Sequence, residues 1–447
     1  MLIKNSSELG YTPLRRCALD IIETGIKAVL PSVVLPSAIA HKPYNGAITI
    51  NERLHPIGKR VFVIGGGKAS GAMAEAFENI LPESIITDGI VICKDDAYNT
   101  RKIRVFPAGH PIPDNRGECA VKEILSLRDS YRIGEGDTVF CLLSGGGSAL
   151  MPYPSEGITL SDKQLITDLL ISSGAKINEI NMVRKHLSRV KGGGLGHYFA
   201  PAQVITLIIS DVIGNDLSTI ASGPTHPDPT TFNDALNVLD RYHIIDQTPG
   251  NVIDHFQKGI AGKIPETSKY LYNCHNYIIA DSSLALKAMR RKAGELGFIA
   301  RIVTSQQNGE TAGVARQIAR DIINGQFDNY DALIFGGETT PILPEKHGTG
   351  GRNQHFVCVS MLELKDFGGE WVVTSLGTDG SDFIPDVAGA IVDNKSWQAA
   401  RDLSIDVISY IKQYDSHALL KLIGGCLIVT GNTGTNVGDI MLYLLKK

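Results

Sequence analysis

The sequence predicts an α/β protein of two doubly wound domains, each built on a mainly parallel sheet, with an interdomain cleft between them. Three observations lead there. Short apolar runs alternate with amphipathic helical segments along most of the chain, the pattern of parallel sheets covered on both faces. Glycine clusters follow several of those runs, and glycine supplies 47 of the 447 residues, above the usual ~7%. Proline, asparagine, glutamine and glycine thicken between residues 243 and 276. That stretch separates an N-terminal Rossmann-like domain, 1–250, from a C-terminal α/β domain, 265–447.

The elements follow in order. Leu14, Ala18, Ile21, Ile22, Ile26 and Val29 recur at helical spacing, so residues 11–30 read as an amphipathic helix ended by Pro31. KRVFVIGGGKASG (59–71) reads as strand, glycines and helix start; GIVIC (89–93) is the next strand, and 115–130 a helix. DTVFCLLSGGGSAL (137–150) repeats the strand–glycine–helix pattern. Helices over roughly 161–173 and 178–191 precede the strand 203–212. In the second half NYIIAD, FIARIVTS, DALIFGG and WVVTSLG are strands alternating with helices, and the last strand, IMLYLL, allows a mixed C-terminal sheet.

Composition excludes several classes. With 43 Lys+Arg against 47 Asp+Glu the net charge is −4, which argues against nucleic-acid binding by bulk charge. Seven cysteines stand singly, with no CxxC pair, so buried thiols in a reducing compartment are expected, not a disulfide framework or zinc site. VLPSVVLPSAIA (29–40) ends like a signal-peptide cleavage site, but two prolines interrupt it, and no run of 18 apolar residues occurs. A cytoplasmic protein with no membrane partner is expected, as monomer or homodimer.

In an open parallel sheet, ligands bind beyond the carboxyl ends of the strands, and the unusual clusters fall there. Gly65-Gly66-Gly67-Lys68-Ala69-Ser70-Gly71 is neither a Walker A loop nor a full GxGxxG. It reads as a tight turn with Lys68 in solvent, or as an anion site. A lysine in a helix's first turn opposes the dipole unless an anion sits there. Ser144-Gly145-Gly146-Gly147-Ser148 reads as a turn or an anion nest, and lacks the GxSxG order of a nucleophile elbow. Arg184 and Lys191, seven apart, are expected on one face of the 178–191 helix, with Lys185 and Arg189 on another. Gly192 and Gly193 follow directly. That segment is a solvated basic face or a phosphate-facing helix end. Asp211 and Asp216, near Ser222-Gly223-Pro224, suit Mg²⁺ or helix capping. The second half adds Gly336-Gly337-Glu338-Thr339, GTGGRN with Arg352, Gly377-Thr378-Asp379-Gly380-Ser381-Asp382, and the turn 431–436.

The strings LSGGGSALMPYP, GAKINEINMVRKHLSRVKGGGLG, SDVIGNDLSTIASGPTHPDPTT, GGETT, GTGGRNQ, GTDGSD and TGNTGTNVGD, in that order, resemble the glycerate 2-kinase family. That family has a C-terminal module called MOFRL and is unrelated to P-loop kinases. The resemblance runs from about residue 10 to 445. It implies phosphorylation of the 2-hydroxyl of D-glycerate by ATP with a divalent metal. It also places the family's functional lysine on Lys68 and its functional arginine on Arg352. The chain departs from the family's usual pattern at Phe383, at Asn432 and in the segment after GGET.

Phosphoryl transfer rests mainly on positioning and charge neutralisation. On the kinase reading the ATP phosphates lie against Gly66, Gly67, Ser144, Gly145, Gly146, Ser148, Arg184, Lys191, Gly192, Gly193, Glu338 and Thr339. Mg²⁺ is held by Asp211 or Asp379, Lys68 and Arg352 act on the transferring phosphoryl group and the glycerate carboxylate, and Asp211 takes the acceptor proton. Two rivals remain: an NAD(P)H-dependent hydroxypyruvate reductase, with Asp95 or Asp96 on a ribose, and a non-catalytic sensor of a phosphorylated metabolite.

Overall fold

The computed structural model describes residues 2–42, 46–82 and 84–446. They divide into two units, Val34–Ile279 and Met1–Val33 joined with Ala280–Lys447. This differs from the division at 250–265 in two respects. The first 33 residues belong with the C-terminal half, and the strand read at the start of that half belongs to the N-terminal sheet.

The helix Pro13–Ala28 explains the first difference. Thr12 caps it, accepting from Arg15 N at 3.2 Å, and Pro13 opens it. Its stripe of Ala18, Ile21, Ile22 and Ile26 is fully buried. Arg15, also fully buried, donates to Asp393 at 2.9 Å, Ser396 at 2.7 Å and the Gly425 carbonyl at 2.7 Å. A helix carrying both anchors cannot be parted from the C-terminal half, where its stripe packs on residues 282–295 and on the sheet, without exposing that stripe and stranding a buried charge.

In the N-terminal unit, β1 (Ile39–Lys42), β2 (Ala47–Ile50) and β3 (Arg53–Pro56) form a small antiparallel sheet. The main sheet comprises β4 (Arg60–Gly66), β5 (Ile86–Cys93), β6 (Ile103–Pro107), β7 (Asp137–Ser144), β8 (Gln203–Ile209) and β9 (Cys274–Ala280), in the order β6-β5-β4-β7-β8-β9. The pairings of β5 with β6, β4 with β5, β4 with β7 and β7 with β8 are parallel. Every residue of β7 is buried, as expected for a strand covered on both faces. Strand order reverses direction between β4 and β7, the switch point where such sheets bind ligands.

The C-terminal unit's sheet comprises β10 (Ala300–Gln307), β11 (Ala332–Gly337), β12 (Glu370–Gly377), β13 (Val387–Asp393), β14 (Leu427–Val429) and β15 (Asp439–Lys446), in the order β10-β11-β15-β12-β13-β14. It is mixed, as the final strand allowed. Only β10 and β11 pair in parallel, and β15 runs antiparallel between β11 and β12. The mainly parallel arrangement therefore holds for the first sheet and not for the second, because β15 and β13 each run opposite to both of their neighbours.

The helix expected over 178–191 stops early, at Ile177–His186. Beyond it Arg189 N donates to Tyr153 O at 3.0 Å and Ser155 N to Leu187 O at 3.1 Å, so the chain leaves the helix to pair with residues 153–155. Arg184, Lys185 and His186 occupy the last turn, where positive charge meets the negative end of the helix dipole. Lys191 accordingly shares no helix face with Arg184, nor Arg189 with Lys185.

Candidate functional site

In the N-terminal unit, Lys68, the Ser144–Ser148 loop and Asp211 lie beyond the carboxyl ends of β4, β7 and β8, three neighbours in the sheet. The first two loops interlock. Gly67 N donates to Ile92 O (3.0 Å), Lys68 N to Gly145 O (2.8 Å), Ala69 N to Ser144 Oγ (2.9 Å) and Ser70 N to Gly67 O (3.1 Å). The first loop therefore has no N–H at these positions to offer a phosphate, and Gly66 and Gly67 serve packing. A Cβ at Gly67, where φ is +151°, would stand 2.2 Å from Ser144 Oγ, and one at Gly66 2.6 Å from Met151 Cγ.

Gly192 and Gly193 are joints as well. Their N–H groups donate to Ser222 O (3.0 Å) and Gly223 O (2.7 Å), and Gly194 N returns to Lys191 O (3.0 Å). Their partner is a left-handed turn in which Ala221, Ser222 and Gly223 have φ of 51°, 62° and 61°. Holding two non-glycine residues there costs about 1–3 kcal/mol each, offset by what the turn positions. Ser222 Oγ lies 2.7 Å from Ser148 Oγ and donates to Asn181 Oδ1 at 3.2 Å, tying the second glycine loop to the helix that carries Arg184.

The second loop is different. Among the described residues, no acceptor takes the N–H groups of Gly146, Gly147 or Ser148. Gly146, at φ +81°, lies between two side chains: a Cβ there would stand 2.9 Å from the His110 ring and 3.1 Å from Lys68 Cγ. On the other side Lys191 Nζ donates to Ser148 O (2.8 Å) and Met151 O (3.4 Å). Burial, then the neighbouring Lys163 and Arg184 charges, push Lys191 well below the usual lysine range. Burial pulls Arg184 down too, and no carboxylate offsets it. Lys185, the next residue, is neutralised by Asp228 at 3.4 Å, and His186 faces Glu266 at 3.3 Å.

Of the acidic candidates, Asp216 is structural: its carboxylate accepts from Ser218 N (3.0 Å), Ser218 Oγ (2.8 Å) and Thr219 Oγ1 (2.7 Å). Asp211 stands half-buried two residues past β8.

In the C-terminal unit the antiparallel register sets Asp439 opposite both Gly337 and Gly377. Arg352, first residue of the helix Arg352–Glu363, donates Nε to Asp439 Oδ2 (2.5 Å) and Nη2 to Asp439 Oδ1 (3.0 Å), while Nη1 pairs with Glu338 Oε1 (2.8 Å). Burial pulls Arg352 down, but the Asp439 and Glu338 carboxylates override it and leave it above the usual arginine range. Much of the donor fork expected to meet a substrate anion is thus engaged by the protein, although the side chain stays 31% exposed. Asp382 accepts from Asn353 N (3.0 Å) and Gln354 N (2.9 Å) at the same helix start. A cavity of about 160 Å³ there is lined by Arg352, His355, Ser381, Asp382, Tyr414 and Ser416, among others. Glu338 is therefore a partner of Arg352, and Thr339 is buried, accepting from Thr311 Oγ1 at 3.1 Å. Asp379 Oδ1 accepts from Ser381 N at 3.0 Å.

Mg²⁺ usually takes one or two carboxylates and completes its shell with water and phosphate oxygens. Asp211 and Asp379 are donors of that class. Among the described residues, no three His, Cys, Asp or Glu side chains gather as an all-protein metal site.

Sequence reasoning missed His110, Lys163 and Asp439. Asp439 carried a signal, a carboxylate at the mouth of an apolar strand. Lys163 carried another, a lysine on the apolar stripe of its helix. His110 carried none.

Comparison with known proteins follows the same lines. A family described as a domain of unknown function (DUF4147) matches residues 17–257, and the MOFRL family matches 331–439. A glycerate 2-kinase of Pyrococcus horikoshii is 40% identical over 441 residues, 97% of each chain. The crystal structure of a glycerate kinase from Thermotoga maritima matches with a TM-score of 0.82 at 35% identity, covering 96% of this chain and 99% of that one. An Agrobacterium vitis protein provisionally named a hydroxypyruvate reductase is 37% identical over 397 residues, 86% of this chain and 99% of its own.

Proposed function

The chain belongs to the glycerate kinase family, and on that premise we propose that it transfers a phosphoryl group from ATP to the 2-hydroxyl of D-glycerate, with Mg²⁺, giving 2-phosphoglycerate and ADP. The observation that carries this reading is the positive charge left without carboxylate partners around the Ser144–Ser148 loop. Lys191 is buried there and Arg184 half-buried, and neither has an acidic partner among the described residues, an expensive arrangement unless an anion enters.

In this reading Gly146, Gly147 and Ser148 offer N–H donors, with Gly145 part of the same loop, and Arg184 and Lys191 offset the nucleotide's charge. Lys68, whose stem passes Gly146, stabilises the transferring phosphoryl group. Mg²⁺, when bound to the nucleotide, supplies further neutralisation, with Asp211 or Asp379 as its protein ligand. Arg352, oriented by Asp439 and Glu338, holds the glycerate carboxylate or the phosphoryl group through its exposed edge. Asp211 accepts the hydroxyl proton.

The reductase name borne by two relatives favours a second reading, hydride transfer from NAD(P)H. The first glycine loop weighs against it, since a dinucleotide pyrophosphate needs N–H donors that Gly67, Lys68 and Ala69 already spend on Ile92, Gly145 and Ser144. The test is ADP release over a panel of small hydroxyacids, with phosphorus NMR locating the new ester. ADP and a 2-phosphate ester from D-glycerate support the kinase. Oxidation of reduced nicotinamide by hydroxypyruvate, with no ADP from any acceptor, supports the reductase.

A further inference from the structure

We propose that Lys163 is a further ligand-binding residue of the N-terminal unit, its ammonium holding a phosphoryl anion together with the Arg184 guanidinium on the Lys191 side of the Ser144–Ser148 loop. The inference rests on the reading of that loop as a phosphate site and names a residue and a ligand class for it.

Lys163 lies in the helix Leu160–Ser172, where the buried positions are Leu160, Lys163, Ile166 and Leu170. That spacing is an apolar stripe, and a leucine or methionine would satisfy the fold. The lysine there is only 7% exposed, and its Nζ has no hydrogen-bond partner. Buried ammonium groups without acceptors are costly. The charges that reach it compound the cost, for Arg184 and Lys191 are both positive. The one carboxylate acting on it, Glu118, is already paired with Lys122 at 2.8 Å. Burial and Arg184 together push Lys163 down to about 7. Lys191 spends its donors on the Ser148 and Met151 carbonyls, whereas Lys163 and Arg184 keep theirs. An entering dianion would satisfy both and remove the mutual repulsion of all three. Phosphate esters and anhydrides share that chemistry, so the source is the nucleotide's polyphosphate or the phosphorylated product.

The test is isothermal titration of wild type and Lys163→Met with sodium tripolyphosphate and, separately, with 2-phosphoglycerate. Methionine keeps the stem's volume and removes the charge, so the variant is expected to fold with an equal or higher melting temperature. Lys163→Arg, which keeps the charge, is the second variant and should retain binding. Affinity lower by about 10-fold or more in the methionine variant supports the proposal. Loss confined to tripolyphosphate assigns the nucleotide, and loss confined to 2-phosphoglycerate assigns the product. Affinities within about twofold for both probes overturn it, as does a wild type that binds neither. A wild type that binds tripolyphosphate through Lys163 but releases no ADP from any hydroxyacid would sink the kinase reading and leave this one standing.

Discussion

Asp439 takes two hydrogen bonds from Arg352, at 2.5 and 3.0 Å, with its own side chain only 1% exposed. Arg352 is therefore half of a structural pair, fixed by the register that inserts β15 between β11 and β12.

Removing either partner should cost stability as well as activity. Arg352→Ala strands a buried carboxylate, and Asp439→Ala leaves the arginine without its main partner. Each is expected to lower unfolding free energy by about 3 kcal/mol, within the range for broken buried pairs, read from urea midpoints. Arg352→Lys keeps the charge but loses the two-pronged geometry, so it should recover most of the stability and little of the turnover. Equal stability of Arg352→Ala and wild type would show that the pair is weak.

The two glycine loops should respond oppositely to one added methyl group. Gly67→Ala drives a Cβ to 2.2 Å from Ser144 Oγ at φ +151°, so loss of folded protein, or at least about 3 kcal/mol of stability, is expected. Gly146→Ala meets only the His110 ring and the Lys68 stem, which can shift. It should cost about 1 kcal/mol for its left-handed backbone and lose activity out of proportion. Circular-dichroism melts beside ADP-release rates separate the two effects.

Lys163 makes a stability prediction with a definite sign. Its folded value of about 7 lies below the ordinary 10.5, so between those limits the unfolded chain binds the extra proton. Stability therefore rises with pH across that window. The penalty is complete below pH 7 and gone above about 10.5. Arg184, Lys191 and Glu118 are the charges that act on the site. Lys163→Met should be more stable than wild type at pH 6 by roughly 2–5 kcal/mol, with the gap closing towards pH 10. A gap that does not change with pH would mean the lysine is not desolvated.

Lys185, beside Arg184 on the helix Ile177–His186, and Asp228 offer a contrast. That pair is buried on both sides at 3.4 Å, so Asp228→Ala should strand a buried ammonium and cost about 3–5 kcal/mol, measured by chemical denaturation. Arg184→Met, which removes a charge with no carboxylate partner, should cost far less.

Much of the fold was legible because burial imposes period. The stripe of Ala18, Ile21, Ile22 and Ile26 and the apolar run Val139–Leu143 of β7 appear in the sequence as they do in the core. The end of the helix at His186 was not legible, since what stops it is pairing of residues 187–189 with 153–155, a tertiary choice. Nor was the assignment of the N-terminal helix to the C-terminal half, which depends on what covers its apolar stripe and on one buried arginine reaching Asp393. At the site, glycine clusters correctly marked strand ends but could not say which N–H groups remain unspent. The N–H groups of Gly67 and Gly192 bond to protein, and among the described residues no acceptor takes that of Gly146. Asp439 and Lys163 were visible as polar residues within apolar patterns, and a stricter reading of those exceptions would have found both.

The most direct measurement of the central claim is ADP release from D-glycerate by Lys68→Met beside wild type, at saturating ATP and glycerate. The expected result is that kcat falls by about 10²–10³ or more while the melting temperature holds, because the Lys68 backbone N–H that ties the two loops together is kept in the variant. A variant that folds normally and turns over within about threefold of wild type would contradict it.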